Sequence, residues 1–598
     1  MNGVGLGGLV HTCSTRKVWQ SSLASVLALL PLSPAIAQQA PITTPTREDL
    51  DPVPERRTSS KPRVQIDDQV ERSPCALDDP AYAKIKLKLS SVTFNKLGPV
   101  AASELTEAYQ DYVGTEQGIN VVCRIRDAAA TKLRAMGYVA AVEVPAQEIE
   151  NGAVNFEVLY AKVTSVRVVG RSGRNEGQFE AYLSKLADGE LFNRYKAERH
   201  LLLARDIPGY EVRLALKPAG TGAGEMIAEV TLKRTPFTLD FSAQNLGAPS
   251  TGRFAGQLRA TFNGLTGMGD RTTLSYYSTA DFAEQHILQG SHEYMIGGNG
   301  LRFAVRGTYA WTKPDLGAAI PDVSAKTLFF NAEASYPFVR RQALSLKGAA
   351  GIDLVNQRVS FSGAPLSEDR VRVAYLRLDT EALDLRGQGP KGSIGWRFDG
   401  SIEFRKGLNI LSASLNCAQN LARCAAPGFT APSLPDGNPI ATVLRASATL
   451  DIRPLHKVTV GISPRAQTSS SPVFAFEQFS IGNYTVGRGF DPGAVVGDKG
   501  AGFQTEVRLD AFRLSPKSPF DIQPYAFTDS AWVWDKASAV RKPRRVSSFG
   551  GGIRSVIAGR ARIDLSVAVP RTLLPGETKR RPARFLASIS TALLPWKN

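Results

Sequence analysis

The sequence predicts a mainly β protein: a 16-stranded antiparallel transmembrane β-barrel preceded by two small α/β modules. From residue 236 onward, apolar and polar residues alternate with period two in long runs. The connections between those runs are alternately short and long. An export-type amino terminus is followed by no stretch of the roughly 18 apolar residues that a spanning helix requires.

A chain of 598 residues exceeds one ordinary core, so several domains are expected. The net charge of +17 raises the question of nucleic acid. The charges are scattered through alternating strands, without a long basic arm or a reader motif, which points instead to solvated loops and a basic, water-filled interior. Arg16 and Lys17 precede an apolar run that ends in Ala35, Ile36 and Ala37, the pattern of a signal peptide (1–37) cleaved after Ala37. Residues 38–72 are rich in proline, charge and small polar residues and read as a flexible linker. Pro52 and Pro54 weaken any helix around Arg47–Arg56.

The first module (73–162) reads strand, helix, helix, strand, strand. Its elements are Ile85–Phe94, Ala101–Tyr112, a helix carrying Val122, Ile125, Ala129 and Leu133 at helical spacing, then Val139–Ile149 and Ala153–Val163. Asn151-Gly152 is a hairpin signal between the last two. The same order returns in the second module (163–235), whose second helix is opened by Asn193. A tandem repeat of this kind argues for two related modules rather than one enzyme domain. His200, on that helix, reads as a surface residue.

Once Cys13 leaves with the signal, the cysteines fall into two groups, Cys75 with Cys123 and Cys417 with Cys424. An even number in an oxidising compartment suggests two disulfides, with two pairs of thiols as the alternative. No histidine lies near either group, so neither has a metal-ligand pattern.

In the barrel segment (236–598), Leu301, Phe303, Val305, Tyr309 and Trp311 oppose Arg302, Arg306 and Thr308, and other runs repeat the pattern. A soluble sandwich also alternates, but its strands are commonly only about 5 or 6 residues long. These runs match the roughly 9 to 11 residues of a tilted membrane-crossing strand. Strand starts fall near Pro236, Arg253, Asp270, Glu284, Leu301, Lys326, Gln342, Asp369, Pro390, Pro439, Lys457, Gly500, Phe520, Ser547, Ala561 and Arg581. The longest connections, 407–438 and 471–499, both follow odd-numbered strands, as external loops do when both chain ends lie on the periplasmic side.

The loop after strand 11 contains Val486, Gly487, Arg488, Gly489 and Phe490, and strand 13 carries Phe527 and Asp529 on one face. Flanking glycines permit a sharp reversal and a close approach by Arg488. Folded inward, the loop would bring Arg488 to Asp529 as a bidentate pair, with Phe527 as a stacking surface. Trp532 and Trp534 take the opposite, lipid-facing parity.

Two such modules, sixteen alternating strands, an Arg-Gly-Phe loop tip and a Phe-x-Asp strand resemble the haemolysin secretion/activation family, the outer-membrane transporters of two-partner secretion. The likeness covers essentially the whole mature chain. The modules resemble polypeptide-transport-associated (POTRA) domains, and "DIPGYEVRLALKP" looks like the second one of that family. The resemblance implies modules that capture an unfolded exoprotein in the periplasm and a pore that passes it outward. It also implies contact with outer-membrane lipid, dependence on the barrel-assembly machinery, and neither a cofactor nor a catalytic site. Arg488 would be the loop-tip arginine, and Phe527 and Asp529 its lumenal partners.

Three features depart from the family pattern. Gly487 separates Val486 from Arg488, Trp596 is followed by Lys597 and Asn598 where an aromatic residue usually ends the chain, and residues 38–72 hold no strong counterpart of a plug helix. The competing readings are an insertase of the same superfamily, whose members generally carry more modules, and a porin-like channel.

Overall fold

The computed structural model describes residues 46–50, 66–67, 75–222, 224–318, 321–385, 387, 395–516, 518–536 and 543–595. The expected signal peptide, most of the expected linker and residues 596–598 lie outside the described residues.

Sixteen antiparallel strands close into a barrel. They are β1 Phe237–Gln244, β2 Ala255–Asn263, β3 Arg271–Thr279, β4 Gln285–Ile296, β5 Leu301–Thr312, β6 Val323–Arg340, β7 Leu344–Phe361 and β8 Ala364–Leu383, followed by β9 Trp396–Gly407, β10 Thr442–Leu455, β11 Val458–Ser469, β12 Lys499–Leu509, β13 Phe520–Trp534, β14 Arg544–Ile557, β15 Ala561–Pro570 and β16 Arg584–Leu594. The ends meet through β1 and β16, with Phe241 opposite Thr591 and Ala243 opposite Ile589. Closure pairs the backbone groups that an open edge would present to hydrocarbon. Leu258, Leu274, Leu288, Leu328 and Leu376 stand exposed on the outer face, while Asp353, Arg405 and Asp529 are fully buried inside. Among the described residues no helix is long and apolar enough to cross a membrane.

Strand β8 begins at Ala364, ahead of the expected Asp369. Ser362 and Gly363, both at positive φ, make a two-residue turn that lets β7 and β8 run on as a long hairpin. Across the barrel β1 has 8 residues against 20 in β8, so the wall is much taller on one side.

In the first module the helix expected over Ala101–Tyr112 is two 3₁₀ turns, Ala102–Ala108 and Gln110–Tyr112. Tyr109 between them, at φ −138°, lies outside the helical region and stops them merging. The helix that follows buries Val122, Ile125, Ala129 and Leu133 over its length, Val121–Ala135. It packs on a sheet in which Ser91–Asn95 runs parallel to Ala153–Glu157. The strand expected over Val139–Ile149 stops at Glu143. Pro145 has no N–H for a ladder, and the Gln147 side chain takes over by bonding the Asn155 carbonyl (2.7 Å) and amide (2.8 Å). Cys75 and Cys123 are joined, tying the amino-terminal edge of this module to its main helix.

The second module packs helices Glu176–Leu183 and Arg194–Arg205 on a sheet of Lys162–Gly170, Glu225–Arg234 and Tyr210–Pro218. Asn193 caps the second helix by accepting the Tyr195 amide at 2.9 Å. One more strand, Ile66–Asp67 from the linker segment, lies parallel to Leu214 and Ala215 on the outer edge of this sheet.

This module docks on the short turns at one rim of the barrel. Arg340 binds Asp206 through two bonds of 2.7 and 2.6 Å, Lys185 donates to the Gly298 carbonyl, and Arg174 donates to that of Leu265. Asp270 gathers the turn beneath Arg174 through the Thr266 hydroxyl and the amides of Leu265, Thr266 and Gly267. Burial opposes ionisation of Asp270, but those bonds outweigh it and hold its carboxyl below the ordinary range.

The Cys75–Cys123 link closes 48 residues of chain, a constraint worth about 4 kcal/mol through loop entropy. A Cys75→Ala, Cys123→Ala variant is expected to lose protease resistance across residues 75–160 first. Heat-modifiable migration of the barrel on gels, measured on the same sample, should stay unchanged.

The finger and helix inside the barrel

The connection between β11 and β12 turns back into the lumen. Phe479–Ile481 pairs antiparallel with Val495–Gly497, making a two-stranded finger. Ile481, Val486, Phe490 and Val495 pack against Ala531, Val533 and Val546 of the inner wall, so the finger has an apolar core of its own. Its tip reverses at Gly482 (φ +148°) and Gly487 (φ +108°), conformations open to glycine.

At the tip Arg488 meets β12 and β13, and the neighbouring Gly489 meets β14. Its backbone N–H donates to Asp529 Oδ2 at 2.8 Å, and its guanidinium lies 4.0 Å over the Phe527 ring. The expected bidentate pair with Asp529 does not form. Arg488 Nη1 bonds Glu506 Oε2 of β12 at 3.0 Å, and Nε is 3.8 Å from Asp529. Turning the backbone N–H toward Asp529 carries the side chain past it, across Phe527, to the next carboxylate. Glu506 also receives both terminal nitrogens of Arg554, at 2.6 and 2.9 Å, and Arg508 Nε lies 3.7 Å away, so one carboxylate faces three arginines. Arg554 in turn stacks on Tyr525 at 4.1 Å, repeating the Arg488–Phe527 contact two residues along β13. Ser548 of β14 accepts the Gly489 amide at 3.2 Å and donates to Asp529 at 3.3 Å. Further along, Asp491 is held by Arg581 at 2.7 Å and Arg584 at 3.1 Å.

Glu506, Ser548 and Arg554 were not legible as partners. They lie on strands where inward charge is ordinary, and only the barrel's register brings them to the tip.

A second insert comes from the segment read as linker. Arg47–Leu50 forms a single helical turn, α1, inside the barrel, where no strong plug counterpart was expected. Leu50 is buried in an apolar patch with Tyr277, Ile287, Phe329 and Phe476. Arg47 is 3.4 Å from Asp353 and 4.0 Å from Glu477, and Glu48 is 3.8 Å from Arg465. A single turn is marginal on its own, and tertiary contacts hold what propensity does not.

Below α1 sits a charge cluster centred on Arg405. It donates to Glu477 (2.9 and 2.8 Å), Glu403 (2.6 Å) and Asp353 (2.7 Å), and Arg445 adds a bond to Glu477 at 3.1 Å. Arg47, Arg405 and Arg445 thus face Asp353, Glu403 and Glu477, three against three. Removing α1 leaves the carboxylates in excess in a low-dielectric interior, an attraction that draws the helix back.

Cys417 and Cys424 are joined in the loop between β9 and β10.

A Cβ at position 489 would lie 2.8 Å from that of Ser548 and 3.1 Å from the Pro570 nitrogen, closer than packing allows. Gly489→Ala is therefore expected to lift the tip at a cost of about 1–3 kcal/mol. Reactivity of a cysteine placed at Thr485 toward a water-soluble maleimide should rise, whereas unchanged reactivity would contradict the docking described.

The model of the haemolysin secretion/activation protein family (ShlB/FhaC/HecB) matches residues 227–555, more than half of the chain. Among curated proteins, none matches by sequence. The fold is similar to CdiB from Escherichia coli (TM-score 0.65, 15% identity, covering 87% of this chain and 93% of that one). It is also similar to CdiB from Acinetobacter baumannii (TM-score 0.58, 16% identity, 85% and 90%). A third likeness is to BamA from Haemophilus ducreyi lacking POTRA domains 1–3 (TM-score 0.50, 14% identity, 85% and 100%). At these identities the likenesses speak to the fold. With the family match running from the last strand of the second module through most of the barrel, the chain belongs to the haemolysin secretion/activation family and is an outer-membrane β-barrel transporter of two-partner secretion, its α/β modules in the periplasm.

Proposed function

We propose that the modules hold an unfolded exoprotein and deliver it, extended, through the lumen once α1 leaves and the finger yields. The observation that carries this reading is how the lumen is filled. Among the described residues it is occupied by two inserts held by local contacts, α1 through Arg47, Glu48 and Leu50 and the finger through Arg488, Gly489 and an apolar cluster shared with the wall, whereas the wall is a continuous ladder. Local attachments of this kind release one at a time, while parting strands in hydrocarbon exposes unpaired backbone groups.

The edge strand Tyr210–Pro218 supports delivery by strand addition. The chain's own Ile66–Asp67 already lies along it, so the edge accepts an extended segment through main-chain bonds. An exoprotein segment would take the same place, and in doing so would displace the segment that begins with α1. Binding of this kind reads shape more than side chains, which suits a cargo presented unfolded.

No step of this route needs a catalytic group or a cofactor. His200 lies on a module helix, His286 and His292 on the outer face of β4, and His456 in the turn between β10 and β11. The barrel's partners in the membrane are lipid and, during biogenesis, the assembly machinery that must complete the β1–β16 pairing. The insertase reading has the fold likeness to BamA in its favour. Two modules and the family match favour secretion.

Arg488→Ala takes the guanidinium away from Asp529 and leaves Glu506 to Arg554 and Arg508, a loss on the order of 3 kcal/mol for a buried charge partner. The variant should insert as a heat-modifiable barrel yet export its cognate exoprotein poorly. Normal export, quantified in culture supernatant, would overturn the role given to the finger. Normal export together with failed insertion of other barrels would instead identify an insertase.

A further inference from the structure

The outer wall carries a depression of about 620 Å³ where the first and last strands meet. It arises from the order of side chains along neighbouring strands. Ala243, Gly256 and Ser278 stand side by side in register across β1, β2 and β3, all small. In the next outward row, Phe241, Leu258 and Tyr276 are also side by side, all large. One row is therefore a floor and the other a wall. Ala587 and Ile589 of β16 continue the lining across the closure, where Asn245 donates its amide to the Ala587 carbonyl. At the external end, Phe254 and Phe282 project outward, 61% and 66% exposed.

No residue lining this depression is charged. Its volume falls within the roughly 300–1,000 Å³ of ligand sites, but it opens on the face that meets hydrocarbon. A polypeptide lying there would bring its own unpaired backbone groups into lipid. A headgroup or nucleotide would find no counter-charge. An alkyl chain meets neither difficulty, and it gains close contacts on a floor and wall that a flat barrel face does not offer.

We propose that this depression is a binding site for one hydrocarbon chain of a membrane lipid, seated across the β1–β16 closure. The chain covers the join between the two ends of the sheet, so lipid packs over the seam of the barrel as a ligand rather than as bulk solvent.

The glycine in the floor supplies the test. A Cβ added to Gly256 meets only Ser242 O at 3.6 Å and Phe241 Cε2 at 3.7 Å, ordinary contacts, so a side chain can start from this position, and Gly256→Leu directs its bulk into the depression. Gly307 on β5 also faces outward, with nothing within 4 Å of its added Cβ, so Gly307→Leu is a control on the same lipid-facing wall. The full chain is reconstituted in phosphatidylethanolamine–phosphatidylglycerol vesicles containing a phosphatidylcholine with a mid-chain diazirine. After irradiation the labelled peptides are mapped by mass spectrometry, with heat-modifiable migration as the check on folding.

The site predicts label concentrated in peptides spanning 241–258, 276–282 and 587–589. It should fall about tenfold in Gly256→Leu and be unaffected by Gly307→Leu. Label spread evenly over the outward strands, or unchanged by Gly256→Leu, would overturn the proposal. Should Gly256→Leu fail to fold, Ala243→Leu fills the same floor and is judged by the same outcomes.

Discussion

The structure depends on the closure of one sheet. Sixteen strands leave no open edge, so each wall strand is hydrogen-bonded on both sides and separating any two carries a penalty paid in hydrocarbon. A barrel of this size is wide enough to leave an aqueous interior. The result is a rigid cylinder whose contents, and not its wall, determine whether anything passes. The finger and α1 are those contents, and both are attached by charge and by small apolar patches.

The attachments differ in a way that matters for motion. The finger brings its own apolar core and a tip tied by backbone as well as side-chain bonds, to Asp529, Ser548 and Glu506. The helix α1 is one turn long, with one buried leucine and ion pairs of 3.4 to 4.0 Å. The looser of the two is α1, and it belongs to the segment whose later residues, Ile66–Asp67, extend the sheet of the second module. A change at the module edge and a change in the lumen are therefore linked through the chain. The module itself is fixed to the periplasmic turns through Asp206 and Arg340, so displacement of that segment need not move the module.

Much of this was legible in the sequence. The period-two alternation located all sixteen strands, because a wall with lipid outside and water inside imposes one side-chain rule along its whole length. The long β7–β8 hairpin was underestimated, since Ser362-Gly363 is a tight turn of unremarkable composition. In the modules, helical spacing identified Val121–Ala135, while the 3₁₀ turns at Ala102–Tyr112 escaped because propensity does not separate them from an α-helix. Around Arg488, the face of β13 was readable from Phe527 and Asp529, two residues apart on one strand. Glu506 and Arg554 were not, since their meeting is set by register between strands far apart in sequence. The same holds for α1: a single turn in a proline-rich stretch of sequence has no strong local signal, and only Asp353, Glu477 and the Leu50 patch place it in the lumen.

The most direct test concerns α1. The side-chain ends of Glu48 and Arg465 meet at 3.8 Å, so cysteines at both positions, joined by a reducible bis-maleimide that spans the reach of the two side chains, can hold the helix in the barrel, and cleaving the linker frees it. With the cognate exoprotein co-produced, the account predicts that secretion stops on cross-linking and returns when the linker is reduced, with the barrel inserted in both states. Equal secretion from the cross-linked form would contradict it, because the cargo would then be leaving by a path that α1 does not block.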